Sequence, residues 1–151
     1  TLKAKLWNFP DAWQEITDYL NSKGYKVIVI SKEKTNLKNI INRTNRPIED
    51  TVNTIMHSEF GLGPSTGIGW ICWSLNKPYI CPSGFSEPWA EFRNAHRVMR
   101  YDLCNGCYND ITVPFERHWD ACVRKKNYEC STSITPQMVK IMIDEIIRDF
   151  G

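Results

Sequence analysis

The chain has 151 residues, a length typical of one domain, and its 19 basic and 17 acidic residues leave a formal net charge of +2. This near balance disfavours a strongly basic nucleic-acid-binding protein and an acidic tail protein. With 42% hydrophobic and 24% charged residues, the composition predicts a packed globular domain. Because the sequence shows neither an apolar run that could span a membrane nor an N-terminal secretion pattern, we expect no membrane span and a cytoplasmic location.

The first part of the sequence predicts a helix followed by a strand. The helix covers 10–23, with Pro10 at its first position and Gly24 as a left-handed cap. The continuous β-branched run 26–31 predicts a strand covered on both faces, as in a parallel sheet. The polar, Asn-rich segment 34–46 is predicted to be a loop with room for one helical turn.

The same alternation continues to the C-terminus. Further helices are predicted over 47–57, 66–76 and 136–149, and further strands over 59–62, 78–82 and 97–101. This order predicts an α/β fold, with a Rossmann-like parallel sheet carrying helices on both faces and a single domain over 1–151. Trp70, Cys72 and Trp73 are predicted to pack in the core, and Cys81 is predicted to be a second buried thiol.

Four cysteines carry a signal for a metal site. Cys104, Cys107, Cys122 and Cys130 follow the pattern Cys-x2-Cys-x14-Cys-x7-Cys. Two cysteines two residues apart place their sulfurs on one turn, and four thiolates hold zinc or iron tetrahedrally. Because four protein ligands leave no position for substrate, we expect a structural metal finger inserted at 102–132. Two disulfides, which need an oxidising compartment, and a redox Cys-x-x-Cys pair are the alternatives. The three histidines, His57, His96 and His118, show no metal-ligand spacing.

A glycine-rich turn leads from the strand 59–62 into the following helix. Its candidate ligand residues are Gly61, Gly63, Ser65, Thr66 and Gly67. The unpaired N–H groups and the positive dipole end at a helix N-terminus suit a phosphate. The segment is neither a Walker motif nor a clean Gly-x-Gly-x-x-Gly, so a capped helix with glycines for tight packing is the alternative.

Two neighbouring features extend this candidate site. Glu59 at the strand start is a candidate for binding a ligand hydroxyl. The loop 83–89 follows another strand and should share the same sheet edge, where Ser83 and Gly84 are candidates for contact with a nucleoside or sugar. An ordinary surface loop fits its composition equally well.

Several motifs of this sequence resemble those of the heptosyltransferases, a known family of glycosyltransferases, and in particular those of its bacterial autotransporter heptosyltransferase subgroup. The resemblance extends over about residues 3–148. Its motifs are Lys5-Leu6-Trp7-Asn8-Phe9-Pro10, Gly24-Tyr25-Lys26-Val27-Ile28, Ser65-Thr66-Gly67-Ile68-Gly69-Trp70, Ser74-Leu75-Asn76-Lys77-Pro78, Ser83-Gly84-Phe85-Ser86 and Cys104-Asn105-Gly106-Cys107-Tyr108-Asn109-Asp110.

The resemblance implies the C-terminal, donor-binding half of a GT-B enzyme, which has two Rossmann-like halves and a cleft between them. It implies ADP-heptose as the donor and Ser or Thr hydroxyls of an autotransporter adhesin as acceptors. It favours iron over zinc in the cysteine finger. It also implies that Lys5 is catalytic and faces the donor's phosphates, while Gly63 to Gly67 line the donor site. The base comes from the N-terminal half in this family, so a single half should bind donor without transferring sugar.

Two other classes of function remain open from the residues. One is a stand-alone nucleotide-binding module without catalysis; a homo-oligomer is an expected partner state of the chain under the glycosyltransferase interpretation. The other is a metal-finger interaction protein, with Arg124-Lys125-Lys126 as a basic surface. Three basic residues and a net charge of +2 produce only a weak positive surface potential, so we expect no nucleic-acid partner.

Overall fold

The computed structural model describes residues 3–114 and 120–151. His118 and the middle of the predicted finger lie outside the described residues. The helices are α1 (Ala12–Ser22), α2 (Ile48–Met56), α3 (Gly67–Ser74), α4 (Glu129–Thr132) and α5 (Pro136–Phe150). The strands are β1 (Ile28–Val29), β2 (Ile41–Asn42), β3 (Gly61–Leu62), β4 (Tyr79–Pro82) and β5 (Ala95–Val98). Short 3-10 turns occur at Lys3–Lys5, Pro88–Ala90 and Cys107–Asn109.

The strands form two parallel sheets, which confirms the predicted α/β class. The central sheet has the order β3-β4-β5, and β1 pairs with β2 separately. Strand β4 lies in the middle and is buried along its whole length. The chain therefore builds its core around β4.

Helices cover both faces of β4. Ile80 points into a cluster with Ile16 of α1 and Val139 of α5. Tyr79 and Cys81 point the other way, into a cluster with Cys72 of α3. This alternation follows from the two-residue period of a strand. Cys72 and Cys81 are both buried, as predicted.

Residues next to the first and last helices fix where α5 begins and where α1 ends. Thr135 caps α5, where its hydroxyl accepts from the Met138 amide at 3.4 Å, and Gly24 follows α1 with a φ of +86°. The N-terminal segment is fixed by Trp7, whose indole N–H donates to the carbonyl of Ile134 at 2.8 Å. This bond holds the segment that carries Lys5 against the core.

Several sequence predictions are wrong in detail. The strand predicted over 26–31 is only two residues long, and Ile28 is 37% exposed, because β1 pairs with β2 at one side and is not covered on both faces. The segment 34–46 is not all loop, since β2 lies within it. Trp70 and Trp73 are 47% and 46% exposed, because α3 is apolar around most of its circumference and buries one face only. In the described part of the chain, no helix has the length and apolarity needed to cross a membrane.

Candidate functional site

Two loops leave the central sheet at the same edge. Strand β3 runs into the turn 63–66 before α3, and β4 runs into the loop 83–87. Because the two strands are parallel neighbours, their carboxyl ends lie side by side, the usual place for a ligand in an open α/β sheet. The amide of Gly63 donates to the carbonyl of Ile80 at 3.0 Å and fixes the start of the turn.

Tyr79 explains two of the glycines in the turn. A Cβ on Gly61 would lie 2.7 Å from the Tyr79 ring, and a Cβ on Gly63 would lie 2.5 Å from its hydroxyl oxygen. That hydroxyl donates to the carbonyl of Pro64 at 2.9 Å. Gly61 and Gly63 therefore allow close packing of the turn over Tyr79, which is the structural alternative that the sequence left open.

The turn is most open where it meets the N-terminus of α3. Thr66 is the N-cap residue in an extended conformation, and its side chain makes no capping bond. A Cβ built on Gly67 meets nothing within 4 Å. The space beside Gly67 at the start of α3 is thus open, and the positive end of the helix dipole lies there, which suits an anion, although the Gly69 amide already donates to the Thr66 carbonyl at 3.0 Å.

A buried ion pair lies behind the two loops. The Glu91 and Arg97 side chains are 3% and 5% exposed, and Arg97 Nη1 lies 2.9 Å from Glu91 Oε1. Ser65 of the turn donates its hydroxyl to Glu91 Oε2 at 2.7 Å, and Ser86 of the loop donates to Glu91 Oε1. Arg97 also donates to the Ser86 carbonyl. One carboxylate therefore contacts both loops.

Lys5 lies near the same edge. Burial raises the pKa of the Cys81 thiol to about 12, and the positive charges of Arg97 and Lys5 oppose that rise. Ala4, the neighbour of Lys5, packs with Phe85 in one buried cluster, which places the Lys5 backbone beside the loop 83–87.

The remaining candidate residues, Ser83, Gly84 and Glu59, lie in different places relative to the glycine-rich turn. Ser83 is 1% exposed, and a Cβ on Gly84 would lie 2.7 Å from the Cβ and carbonyl oxygen of Cys130, so both residues are packed within the loop base. Glu59 is exposed and precedes β3, at the opposite end of the strand from the turn. The structure therefore does not bring Glu59 together with the glycine-rich turn.

The four cysteines of the predicted finger line one pocket as free thiols. Arg124 Nη1 lies 3.5 Å from Cys104 Sγ, and the Lys126 amide donates to Cys122 Sγ at 3.3 Å. Burial and the nearby cysteines raise the pKa of Cys130 to about 12. N–H donors directed at sulfur are the contacts that metal thiolates receive, so the chemistry of this pocket fits iron or zinc. The described residues nevertheless contain no group of three or more His, Cys, Asp or Glu arranged as a metal site.

Comparison with known proteins shows which proteins this chain is related to. No protein-family model matches the chain. It is 31% identical over 165 residues to the autotransporter heptosyltransferase TibC of Escherichia coli O78:H11 (strain H10407 / ETEC), covering 98% of this chain and 40% of TibC. It is 32% identical over 162 residues to the autotransporter heptosyltransferase BAHTCr of Citrobacter rodentium, covering 97% of this chain and 39% of BAHTCr. The chain is homologous to autotransporter heptosyltransferases.

Solved structures agree with this homology. The crystal structure of dodecameric iron-containing heptosyltransferase TibC in complex with ADP-D-β-D-heptose matches this chain with a TM-score of 0.91 at 29% identity. The match covers 100% of this chain and 44% of that one. The chain spans about two fifths of the length of the curated heptosyltransferases that it matches. That share is consistent with one half of a two-half enzyme.

Sequence reasoning missed Glu91 and Arg97 in this heptosyltransferase homologue. Their partners are distant along the chain, since Ser65 lies 26 residues before Glu91 and Ser86 lies 11 residues before Arg97. The available signal was one acidic and one basic residue six positions apart in the aromatic segment 85–101, which also holds Glu87, Arg93 and Arg100. The pair becomes informative only once both members are known to be buried.

Proposed function

We propose that this chain is the donor-binding, C-terminal half of a heptosyltransferase with a GT-B architecture, and that it binds an ADP-sugar. The observation that carries the proposal is its match, over its whole length, to a heptosyltransferase crystallised with ADP-D-β-D-heptose. The open N-terminus of α3 supports it, because a diphosphate is the kind of anion that such an end accommodates. ADP-heptose is the donor we propose.

The reaction we propose is a single displacement. A base from the other half of the enzyme takes the proton of an acceptor Ser or Thr hydroxyl. The hydroxyl oxygen then bonds to the anomeric carbon of the sugar while the bond from that carbon to the diphosphate breaks, so the configuration inverts and ADP leaves. Negative charge grows on the diphosphate as it leaves. Lys5 and the N-terminus of α3 stabilise that charge, and this is the catalytic contribution of the present chain.

The cysteine pocket is proposed to hold iron, with zinc as the alternative. Cys104, Cys107, Cys122 and Cys130 would be its ligands, and Arg124 lies close enough to Cys104 to balance thiolate charge. When bound, the metal would crosslink a segment rich in polar residues and replace the ordering that apolar burial does not supply.

The partners in this proposal are a nucleotide-sugar donor and a protein acceptor such as an autotransporter adhesin. A cytoplasmic location follows from the proposed use of a nucleotide sugar and reduced thiols. Assembly into a homo-oligomer is part of the proposal because the TibC crystal structure is dodecameric. Ser83 and Gly84, which are packed at the base of the loop, are proposed to shape the donor edge from below, and Glu59, which lies before β3 and away from the turn, is left out of the proposed donor contacts.

The test is a titration of the purified, metal-loaded chain with ADP, UDP, GDP and CMP. We expect selective binding of ADP, which Lys5→Ala and Thr66→Ala weaken. In an active enzyme that contains this half, Lys5→Ala should lower turnover about tenfold or more, as expected for one lost charge contact to a leaving group. Normal turnover would remove Lys5 from the mechanism, and an intact fold that binds no nucleotide would contradict the donor-binding proposal.

A further inference from the structure

The pair formed by Glu91 and Arg97 does more than fill the core. A buried ion pair often contributes little net stability, because desolvation of the two charges offsets their attraction. Here the carboxylate also accepts the hydroxyl hydrogens of Ser65 and Ser86, which belong to two different loops. Arg97 comes from β5 and holds the Ser86 carbonyl as well. The pair is thus the point where the turn, the loop and the third strand meet.

We propose that Glu91 is a positioning residue of the donor site, which ties the turn 63–66 to the loop 83–87 so that both present one pre-formed edge to the ligand. This inference rests on the proposed function for the identity of the ligand. A ligand edge that is ordered before binding avoids the entropy cost of ordering it afterwards. Glu91 provides that order from behind the loops.

Arg97 makes this arrangement compatible with an anionic ligand. A lone buried carboxylate next to the N-terminus of α3 would repel a diphosphate and would cost free energy to desolvate. Arg97 lies 2.9 Å from that carboxylate and is 5% exposed, so it cancels the charge of Glu91 locally. Glu91 can therefore fix both loops while the edge keeps its positive character from the N-terminus of α3.

The hydrogen bond from Ser65 also fixes what that side chain can recognise. A serine hydroxyl has one hydrogen to donate, and Ser65 gives it to Glu91 Oε2. Only its lone pairs remain, so Ser65 can accept from a hydroxyl or amino group of a ligand and cannot donate to a phosphate oxygen. Ser65 is therefore no donor to the diphosphate in this arrangement, which leaves the first turn of α3 for that group.

The experiment compares Glu91→Asp with Glu15→Asp in the same purified protein. Aspartate keeps the charge opposite Arg97 but is one methylene shorter, so it cannot reach both serines. Glu15, which pairs with Lys140 at 2.6 Å between α1 and α5, is half exposed and serves as the control for the same shortening of an ion-paired glutamate away from the edge. Amide hydrogen exchange without nucleotide measures the order of 63–67 and 83–87, and calorimetric titration measures the dissociation constant of ADP.

We expect Glu91→Asp to speed exchange in both segments together and to weaken ADP binding about tenfold, while Glu15→Asp does neither. Ser65→Ala and Ser86→Ala should each weaken ADP binding, and the double variant should lose less than the product of the two, because the residues act through one carboxylate. Ser65→Thr, which keeps the hydroxyl at a partly exposed position, should retain most of the affinity.

Three results would overturn the positioning role. They are faster exchange in only one of the two segments, an even rise in exchange along the whole chain, and independent effects of the two serine variants. If the wild-type protein binds no ADP but both segments loosen together in Glu91→Asp, the tie between the loops stands and the donor-binding function fails. The two proposals are thus tested separately.

Discussion

The amide of Gly106 donates to the carbonyl of Gly84 at 2.7 Å and joins the cysteine-rich segment to the loop at the sheet edge. Two further bonds continue this contact. The Tyr108 amide donates to the Phe85 carbonyl at 3.1 Å, and the Glu87 amide donates to the side chain of Asn109. The backbone after Cys104 therefore lies along the loop and helps to set its shape. A change in the cysteine pocket should consequently reach the candidate donor site.

Metal removal is the first test of this connection. We expect a chelator, applied under reducing conditions, to loosen the described residues of 104–130 first and the loop 83–87 with them, because the loop loses its backbone partners. The turn 63–66 and the closing helix α5 should keep their order longer, since α5 packs in the main core. Amide exchange before and after chelation measures this. Unchanged protection of 104–114 after complete metal loss would contradict the structural role of the metal.

Gly84→Ala tests the contact between the loop 83–87 and the cysteine-rich segment by changing the loop instead of removing the metal. The new Cβ would lie 2.7 Å from the Cβ and backbone oxygen of Cys130, and backbone atoms cannot rotate away. We expect the free energy of unfolding to fall by about 1–3 kcal/mol, the usual cost of overpacking, and the metal content to fall with it. Denaturant unfolding and metal analysis measure the two effects. Wild-type stability with full metal content would show that the two segments separate freely.

The sequence predicted those parts of the fold whose signals are local. Helix α5 follows from Thr135, Pro136 and an apolar stripe, and α1 follows from its own periodicity and Gly24. Strand β2 could not be found this way, because Ile41 and Asn42 are exposed and become a strand only by pairing with β1. The exposure of Trp70 has a similar cause, since an evenly apolar helix does not reveal which face will be buried.

The residues of the candidate site also divide into those with a local sequence signal and those defined by contacts between distant segments. The turn and its helix start were visible because Gly61, Gly63 and Gly67 stand within seven residues of sequence between a strand pattern and a helix pattern. The role of Lys5 was suggested by resemblance alone, since a single lysine near the N-terminus carries no local signal. Glu91 was missed because the contacts that define it join segments far apart in the chain.

Gly67→Ala should separate stability from ligand binding. Alanine is favoured over glycine by roughly 0.5–1 kcal/mol in a helix interior and by less at Gly67, the first residue of α3. Because its Cβ would meet nothing within 4 Å, the free energy of unfolding should stay equal or rise slightly. The methyl group would fill the open space before the first turn of α3, so ADP should bind at least about fivefold more weakly, equivalent to ~1 kcal/mol. Ser74→Ala at the other end of α3 serves as the control and should leave ADP affinity unchanged. Equal affinity of Gly67→Ala and wild type would remove the helix start from the donor site.

His96 should make the stability of the chain depend on pH. Burial lowers the pKa of His96 below its ordinary value near 6.5, although Asp149 and Glu145 oppose this shift, and the Phe150 ring packs 5.8 Å away. The unfolded chain therefore takes up a proton at a higher pH than the folded chain does. Stability should be full above pH ~6.5 and should fall as the pH drops below that value. Denaturant unfolding at a series of pH values measures this, and His96→Asn should flatten the profile. A decline of the same size in His96→Asn would assign the pH dependence to other groups.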